Sequence, residues 1–141
     1  MLLNQISVFI ENKSGRLADV TEVLGGAGVD IRALSIADTA DYGILRLIVD
    51  DPEKAEKALK ANNTTVSITK VIAISVSDAP GSFANAVRIL SNANINVEYA
   101  YAFITPKEGS AFVIVRVDDN EKAMRILNES GVRLLKQADI F

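Results

Sequence analysis

The chain has 141 residues, a length that suits one ordinary domain or two small ones. Its net charge is −3 and no basic residues cluster, which argues against binding to nucleic acid or to an anionic membrane surface. It has no cysteine and no histidine, so disulfides, thiolate catalysis, Cys/His metal sites and histidine acid–base chemistry are excluded, and we expect no cofactor.

The first elements are predicted to be a strand and a helix joined by a polar turn. Residues 3–10 alternate with the period of a half-buried strand, and residues 12–15, Asn-Lys-Ser-Gly, predict a turn and a helix start. Gly28 predicts the end of the helix, because glycine accepts the left-handed conformation at low cost. The apolar positions recur at helical spacing, at Leu17, Val20, Leu24 and Ala27.

The rest of the first half adds a hairpin, a second helix and a last strand. The hairpin is predicted from strands at 31–37 and 44–49 around a turn at 38–43. Asp51 and Pro52 then predict a helix start, with aspartate as the N-cap and proline in the first helical position. A short strand at 66–69 closes a β-α-β-β-α-β order.

The second half repeats this order. The repeat has an offset of 66, which places Gly81 on Gly15 and Asn94 on the helix stop Gly28, and the offset becomes 68 after a longer hairpin. We expect Phe83, Val87 and Leu90 to face inward from the helix that follows Gly81. The predicted elements are strands at 71–76, 97–104, 111–117 and 132–135, a helix at 82–93, a turn at 106–109 and a helix capped by Asp119 with Ala123, Met124 and Leu127 inward.

Such a duplication predicts an α+β protein of two tandem ferredoxin-like βαββαβ units, with antiparallel sheets and the helices on one face. We expect the units to span residues 1–69 and 70–141. No linker separates them, so we expect rigidly abutted halves. The second and fourth strands of each unit lie at its sheet edges, and open edges favour a homo-oligomer, which we expect to be a homodimer.

The turns and their spacing resemble the ACT domain family. The motifs are Asn-x-x-Gly-x-Leu at residues 12–17 and Asp-x-Pro-Gly-x-Phe at residues 78–83, each followed by a Gly/Asn-Val/Ile-Asp/Asn-Ile/Val entry to strand two. The resemblance covers the chain as two units and is closest in kind to stand-alone tandem ACT proteins. It implies a small regulatory module that binds an amino acid and controls a metabolic enzyme.

An amino acid presents a carboxylate and an ammonium group. The start of a helix offers unpaired N–H groups to the carboxylate, and Gly15 or Gly81 lets a ligand approach the backbone. The resemblance pairs the turn of one unit with strand two of the next, which suggests Asn12 and Gly15 with Asn96, and Asp78 and Gly81 with Asp30. The implied ligand-binding residues are Asn12, Ser14, Gly15, Arg16, Leu17, Asp30, Ile31, Asp78, Pro80, Gly81, Ser82, Phe83, Asn96 and Val97.

The two copies depart from each other at the turns. Ser14 stands where the family often has proline, whereas the second unit keeps Pro80. The first turn is flanked by the basic residues Lys13 and Arg16, and the second by Ala79 and Ser82. The two sites need not bind the same ligand.

Structural alternatives exist for these residues. Asn12, Ser14 and Asp78 are also ordinary helix caps, and Asp30 and Asn96 are also ordinary strand starts. The pairs Asp50-Asp51 and Asp118-Asp119 resemble metal or acid–base carboxylates, but a place before a helix favours capping. Tyr99, Tyr101 and Phe103 alternate on one face of their strand, and the first unit has the small residues Ala33, Ser35 and Ala37 at the corresponding positions. This difference in size favours packing between the halves over base stacking.

The sequence therefore predicts a non-catalytic, cytoplasmic regulatory protein that binds a free amino acid at the interface between ACT-like units. No signal pattern and no apolar run of about 18 residues is present. The alternative is a regulatory subunit that docks a metabolic enzyme and has no ligand of its own. An enzyme is disfavoured because no catalytic constellation is present. We expect no nucleic-acid and no membrane partner.

Overall fold

The computed structural model describes residues 2–104 and 108–141. They form two compact units. One unit holds residues 4–69, and the other holds residues 70–141 together with Leu2 and Leu3 from the other end of the chain. Leu3 is buried and Leu2 packs against the core of this second unit. No helix in the described ranges is long and apolar enough to cross a membrane.

The first unit is an antiparallel sheet with two helices on one face. Its strands lie in the order β2-β3-β1-β4, and β1 pairs with β3 so that Ile6 faces Leu47 and Val8 faces Leu45. These four side chains are fully buried and form a core with Leu24 of the first helix and Leu59 of the second. The elements are β1 (Leu3–Glu11), α1 (Arg16–Gly26), β2 (Ile31–Asp38), β3 (Tyr42–Val49), α2 (Pro52–Ala61) and the first part of β4 (Thr65–Ser77).

The second unit repeats this architecture. Its strands lie in the order β7-β4-β6-β5, and β4 pairs with β6 so that Ile72 faces Val115 and Ile74 faces Val113. Leu90 and Leu127 pack on this face from the two helices. The elements after β4 are α3 (Ser82–Asn92), β5 (Val97–Ala102), β6 (Ser110–Val117), α4 (Asn120–Glu129), β7 (Arg133–Leu134) and a short helix α5 (Gln137–Ile140). The α+β, ferredoxin-like prediction is confirmed.

The first helix of each unit ends in the same way. Gly28 has φ 73° and Asn94 has φ 59°, so both residues adopt the left-handed conformation that glycine and asparagine tolerate best. The next residue then bonds back into the helix: Val29 N–H donates to the Leu24 carbonyl at 2.9 Å, and Ile95 N–H donates to the Leu90 carbonyl at 2.9 Å. The predicted equivalence of the two stops is confirmed.

Three predictions about the elements are wrong in detail. The strands expected at 66–69 and 71–76 form one strand, β4, because nothing between Thr69 and Val71 breaks an extended backbone. The strand expected from 97 ends at Ala102, although the Phe103 N–H still bonds to the Phe112 carbonyl. The strand expected at 132–135 has only two residues. In the turn expected at 106–109, residues 106 and 107 lie outside the described residues.

The face that α3 turns to the sheet also differs from the prediction. Ala86 and Leu90 are buried, whereas Phe83 is 39% exposed and Val87 is half-buried. Phe83 lies in the first turn of the helix and lines a shallow groove with Val87 and Ser91, away from the buried residues Ala86 and Leu90. Leu17, at the equivalent place in α1, is likewise 41% exposed. Both apolar side chains therefore remain at the surface.

Candidate functional site

The four long helices begin in two different ways. At the start of α2, the Asp51 carboxylate accepts a hydrogen bond from the Lys54 N–H at 3.1 Å. At the start of α4, the Asp119 carboxylate accepts one from the Lys122 N–H at 3.1 Å. These two aspartates satisfy helix-end donors, and the capping prediction for them is confirmed.

The helices α1 and α3 begin without a side-chain cap. Their N-caps are Gly15, with φ 91°, and Gly81, with φ 86°, and neither helix start receives a side-chain hydrogen bond. The capping alternative for Asn12, Ser14 and Asp78 is therefore wrong. A Cβ atom built on either glycine would meet no described heavy atom within 4 Å, so both helix starts are open to solvent.

An uncapped helix start carries N–H groups without a partner inside the helix and a partial positive potential. A positive φ at the N-cap requires glycine for backbone reasons, and the same glycine leaves room for a ligand beside these donors. The arrangement is suited to a carboxylate, and it occurs once in each unit.

The turn before each open helix is fastened to the neighbouring hairpin. Asn12 donates from its backbone N–H to the Asp41 carbonyl at 2.8 Å and from Nδ2 to the Thr39 carbonyl at 3.3 Å. Asp78 donates from its backbone N–H to the Gly109 carbonyl at 3.2 Å. The two turns are thus held in equivalent positions, and Asn12 adds a hydrogen bond from its side chain.

The start of strand two is fixed by a second repeated contact. The backbone N–H of Asp30 donates to Asp50 Oδ1 at 2.9 Å, and that of Asn96 donates to Asp118 Oδ1 at 3.1 Å. In return, the Asp50 N–H donates to the Asp30 carbonyl and the Asp118 N–H donates to the Asn96 carbonyl. These bonds use the backbone groups of Asp30 and Asn96 and not their side chains. The Asp30 carboxylate also pairs with Arg32, at 3.0 Å.

The fold separates these two groups of residues within a unit. The turn lies at the start of the first helix of the unit, α1 or α3, and the strand-two residues follow the end of the same helix. A helix of 11 residues is about 16 Å long. Asn12 and Asp30 therefore do not meet in one unit. The remaining candidates lie beside these positions. Ser14, Arg16 and Pro80 are exposed, and Ser82 contacts Ser77. Ile31 packs on the core of the first unit and Val97 on that of the second.

The first turn also carries two acidic residues, Glu11 and Asp19, that the sequence did not assign to the site. Arg16 lies 3.4 Å from Asp19 and 3.8 Å from Glu11, and Lys13 lies 3.0 Å from Glu11. The hydrogen bond and charge of Lys13 lower the pKa of the Glu11 carboxyl, with a smaller effect of Arg16. The equivalent positions in the second unit are all uncharged: Ser77, Ala79, Ser82 and Asn85.

Cavities occur at matching places in both units. A cavity of about 410 Å³ lies between β1, the first turns of α1 and the α2–β4 connection, and includes Glu11, Arg16 and Asp19. One of about 200 Å³ has the same place in the second unit and includes Ser77, Ser82 and Asn85. A third, of about 230 Å³, borders the first turn and is lined by Glu11, Asn12, Lys13, Leu17, Ile36 and Asp38, among others. The two turns thus have equivalent backbone positions, but charged side chains surround the first and uncharged side chains surround the second.

The part of the chain that the structure describes contains no group of three or more histidine, cysteine, aspartate or glutamate side chains placed to hold a metal ion. The Asp50 and Asp118 carboxylates bind backbone N–H groups, so neither joins its neighbour in a two-carboxylate site. The aromatic side chains of strand β5 lie against each other, with the Tyr99 and Tyr101 rings stacked at 6.5 Å.

Comparison with known proteins gives one family and several structures. A family model described as "ACT domain pair" matches residues 1–141. The crystal structure of protein BT0572 from Bacteroides thetaiotaomicron is similar to this chain with 44% identity and a TM-score of 0.93, over 99% of this chain and 96% of that chain. No curated protein matches the sequence.

More distant structures share the fold. The regulatory subunit of aspartate kinase from Thermus thermophilus has 16% identity and a TM-score of 0.64, over 89% of this chain and 90% of that chain. The corresponding subunit from Thermus flavus has 16% identity and a TM-score of 0.60, over 92% of this chain and 94% of that chain.

Proposed function

Because the chain belongs to the ACT domain pair family, we propose that it is a non-catalytic regulatory protein that binds a free amino acid. The observation that carries the proposal is the contrast between helix starts. Each unit has two helices of similar length. Only α2 and α4 are capped by a side chain, whereas α1 and α3 begin at an open glycine. Repetition of this contrast in both units supports a shared role for the open starts.

The proposed site combines the turn of one unit with the start of strand two of another. The Arg16 and Ser82 N–H groups already donate to the Lys13 and Ala79 carbonyls. The N–H groups that follow them in the first helical turn bind the ligand carboxylate, because they lie at the positive end of a helix. The side chain of Asn96 or Asp30 accepts hydrogen bonds from the ligand ammonium group. Leu17 and Phe83, both exposed beside the turns, contact the ligand side chain.

The two sites are proposed to differ in their ligand. The first turn is surrounded by Lys13, Glu11 and Arg16, and the second by hydroxyl groups and Pro80. Charged groups near a ligand strengthen the binding of complementary charges and disfavour like charges. We expect the first site to prefer a ligand with a polar or charged side chain and the second to prefer a smaller, uncharged one.

The regulated partner is proposed to be a metabolic enzyme in the cytoplasm, and the protein is proposed to act as a homodimer. The distant structures of aspartate kinase regulatory subunits share its fold and are consistent with such a role. Docking of an enzyme without any ligand remains the alternative, and it predicts a stable complex whose formation no amino acid changes.

A thermal-shift screen with the twenty amino acids at millimolar concentration tests ligand binding. A ligand at a hundredfold its Kd stabilises the folded protein by about 2.7 kcal/mol, a readily measured shift. We expect at least one amino acid to raise the melting temperature and Gly15→Ala or Gly81→Ala to reduce that shift, because a Cβ would lie at the open helix start. A well-folded protein that responds to none of the twenty would refute the proposal.

Gly131→Ala is the matched control for Gly15→Ala, because Gly131 lies in the second unit, where it lines the cavity that includes Ser82. Gly131 has φ 80°, and a Cβ there meets no described heavy atom within 4 Å, so the backbone strain of an alanine is comparable. It follows α4 rather than an open helix start. We expect Gly131→Ala to lower the melting temperature about as much as Gly15→Ala does, while it retains the part of the ligand-induced shift that Gly15→Ala removes.

A further inference from the structure

The first unit has a cavity of about 410 Å³ that is separate from the proposed amino-acid site. The residues proposed to hold the amino acid lie on the hairpin side of the first turn, where Asn12 and Leu17 line a different cavity with Ile36. The cavity of about 410 Å³ opens instead towards the connection from α2 to β4, and neither Asn12 nor Leu17 lines it. We call it the first-unit cavity; its lining includes Phe9, Glu11, Arg16, Asp19, Tyr42 and Asn63.

Two carboxylates and one guanidinium group line the first-unit cavity. Among the described residues, Asp19 has Arg16 as its one ion-pair partner, at 3.4 Å, and Glu11 lies 3.8 Å from Arg16. Both distances exceed the roughly 2.7–2.9 Å of a strong charge-assisted hydrogen bond. Lys13 also pairs with Glu11, but it lines the cavity on the hairpin side. The two carboxylates thus outnumber the one cation in the lining, which favours a positively charged ligand.

Two aromatic rings form an apolar wall of the same cavity. Phe9 and Tyr42 lie on the paired strands β1 and β3, with their ring centroids 6.4 Å apart and their planes at 55°. Phe9 is 55% exposed and Tyr42 is 52% exposed. The face of an aromatic ring attracts a cation that lies within about 6 Å of its centroid. Exposed rings beside carboxylates therefore suit a ligand that has both a positive charge and apolar carbon.

The connection from α2 to β4 forms another wall, and hydrogen bonds fix its backbone. Asn63 has φ 58°, and the Thr64 N–H donates to the Leu59 carbonyl at 3.0 Å, which ends α2 in the left-handed conformation. The side-chain amides of Asn62 and Asn63 form no hydrogen bond with another described residue. Their oxygen atoms can accept hydrogen bonds from the N–H groups of a ligand.

The second unit lacks these features at equivalent backbone positions. Its cavity has about 200 Å³, and the described residues that line it carry neither a charge nor an aromatic ring. The first-unit residues and their second-unit counterparts are Phe9 and Ser75, Glu11 and Ser77, Asp19 and Asn85, Tyr42 and Ser110, and Asn63 and Gly131. The fold therefore forms without these charges and rings, so the first unit does not need them to build its backbone.

We propose that the first-unit cavity binds a small organic cation, an alkyl compound that ends in an ammonium or guanidinium group. The carboxylates of Glu11 and Asp19 bind the positive charge, and the rings of Phe9 and Tyr42 contact the charged group and the carbon next to it. The amide oxygens of the α2–β4 connection accept the remaining N–H groups. Such a ligand needs no carboxylate, so this inference goes beyond the proposed amino-acid binding and does not rest on it.

Isothermal titration of the full chain with agmatine, putrescine and 1,4-butanediol tests the proposal. Agmatine carries a guanidinium and an ammonium group, and putrescine carries two ammonium groups. The diol has the carbon chain of putrescine without its charge. We expect saturable binding of at least one of the two cations and no binding of the diol. Binding of the cation should weaken with added salt, because salt screens the attraction between exposed charges.

Exchange of cavity residues for their second-unit counterparts gives the test variants. Asp19→Asn removes one carboxylate and Phe9→Ser removes one ring, and we expect each change to raise the Kd of the cation about fivefold. Phe9→Leu keeps the apolar bulk without the ring and should weaken binding about as much as Phe9→Ser. Glu22→Gln is the control, since it removes one negative charge from an exposed residue of α1 that does not line the cavity. Its Kd should equal that of the wild type.

Circular dichroism verifies that each variant folds. The proposal would be overturned if neither cation bound at millimolar concentration, if the diol bound as well as the cations, or if Asp19→Asn and Phe9→Ser bound as the wild type does. A Glu22→Gln variant as weak as Asp19→Asn would also overturn it, because the effect would then come from net charge alone. Cation binding by a protein that responds to none of the twenty amino acids would support the proposal and refute only the proposed function.

Discussion

The backbone N–H of Asp30 and the carboxylate of Asp50 lie 2.9 Å apart, joining the start of strand two to the residue before the N-cap of the next helix. The same contact joins Asn96 to Asp118 at 3.1 Å. Both partners are exposed, yet the contact closes a reciprocal pair of backbone bonds in each unit. It holds the residue that we propose to face the ligand ammonium group.

Removing either the Asp50 or the Asp118 carboxylate should destabilise the unit that contains it. We expect Asp50→Ala and Asp118→Ala to lower the free energy of unfolding by about 1.5 kcal/mol each, the magnitude of a hydrogen bond to a charged acceptor. Asp50→Asn keeps an acceptor oxygen and should cost less than half as much. Urea unfolding followed by circular dichroism measures the difference, and equal losses for alanine and asparagine would contradict the role of the oxygen.

The two classes of helix start should respond differently to alanine. Asp51→Ala and Asp119→Ala remove caps and should lower the free energy of unfolding by about 1 kcal/mol each. Ser14→Ala and Asp78→Ala should change it by less than about 0.5 kcal/mol, because neither side chain caps a helix. Urea midpoints of the four variants test this, and a loss of about 1 kcal/mol at Ser14 would mean that it caps α1 in solution.

Asn94, the residue in the left-handed conformation at the end of α3, should be replaceable by glycine without loss of stability but not by alanine. Asn94 has φ 59°, so we expect Asn94→Ala to lower the free energy of unfolding by about 1 kcal/mol. Asn94→Gly should leave it unchanged or raise it slightly, since glycine adopts this conformation freely. Thermal melts of the two variants give the comparison. A destabilising Asn94→Gly would show that the asparagine side chain, rather than its backbone, ends the helix.

Much of this architecture could be predicted from the sequence because each local pattern occurs in both units. The helix stops follow from the tolerance of glycine and asparagine for one backbone conformation, and the caps at Asp51 and Asp119 follow from a short, local hydrogen bond. These are local rules, and both copies obey them. The element order and the fold class follow from the same local patterns.

The outward position of Phe83 and the charges around Arg16 could not be predicted in this way. An apolar residue at helical spacing is expected inside, but Phe83 lines a groove with Val87 and Ser91, while Ala86 and Leu90 are the buried residues of α3. Glu11 ends β1 and Asp19 lies one turn into α1, and only the fold shows that both approach Arg16. The turn residues are of types that often cap helices. The prediction that they do so here was wrong because it rested on residue type alone.

The protein should lose stability in mild acid through Glu11 and Asp139. The Lys13 hydrogen bond and charge lower the pKa of Glu11 below its ordinary value of 4.5, and the Lys136 N–H lowers that of Asp139 below 3.8. A lowered folded-state pKa contributes stability that is present above the unfolded-state value and is lost as the pH falls through the folded-state value. The loss should therefore occur below about pH 4.5.

Glu11→Gln removes the first of these two titrations. Urea midpoints measured between pH 6 and pH 3 should fall less steeply for Glu11→Gln than for the wild type. Glu53→Gln provides the control, since it changes a glutamate in the first turn of α2 that forms no ion pair with any described residue. Because both groups are exposed, the difference should be small and should decrease with added salt. Parallel pH profiles for the wild type and Glu11→Gln would contradict the lowered pKa.

The central claim is that the open helix starts bind an amino acid, and isothermal titration of the best ligand from the thermal screen tests it most directly. The account predicts saturable binding by the wild type, with Gly15→Ala and Gly81→Ala each removing or weakening one class of site. Gly131→Ala should retain the class of site that Gly15→Ala removes. Binding that neither Gly15→Ala nor Gly81→Ala alters would place the ligand elsewhere and contradict the account.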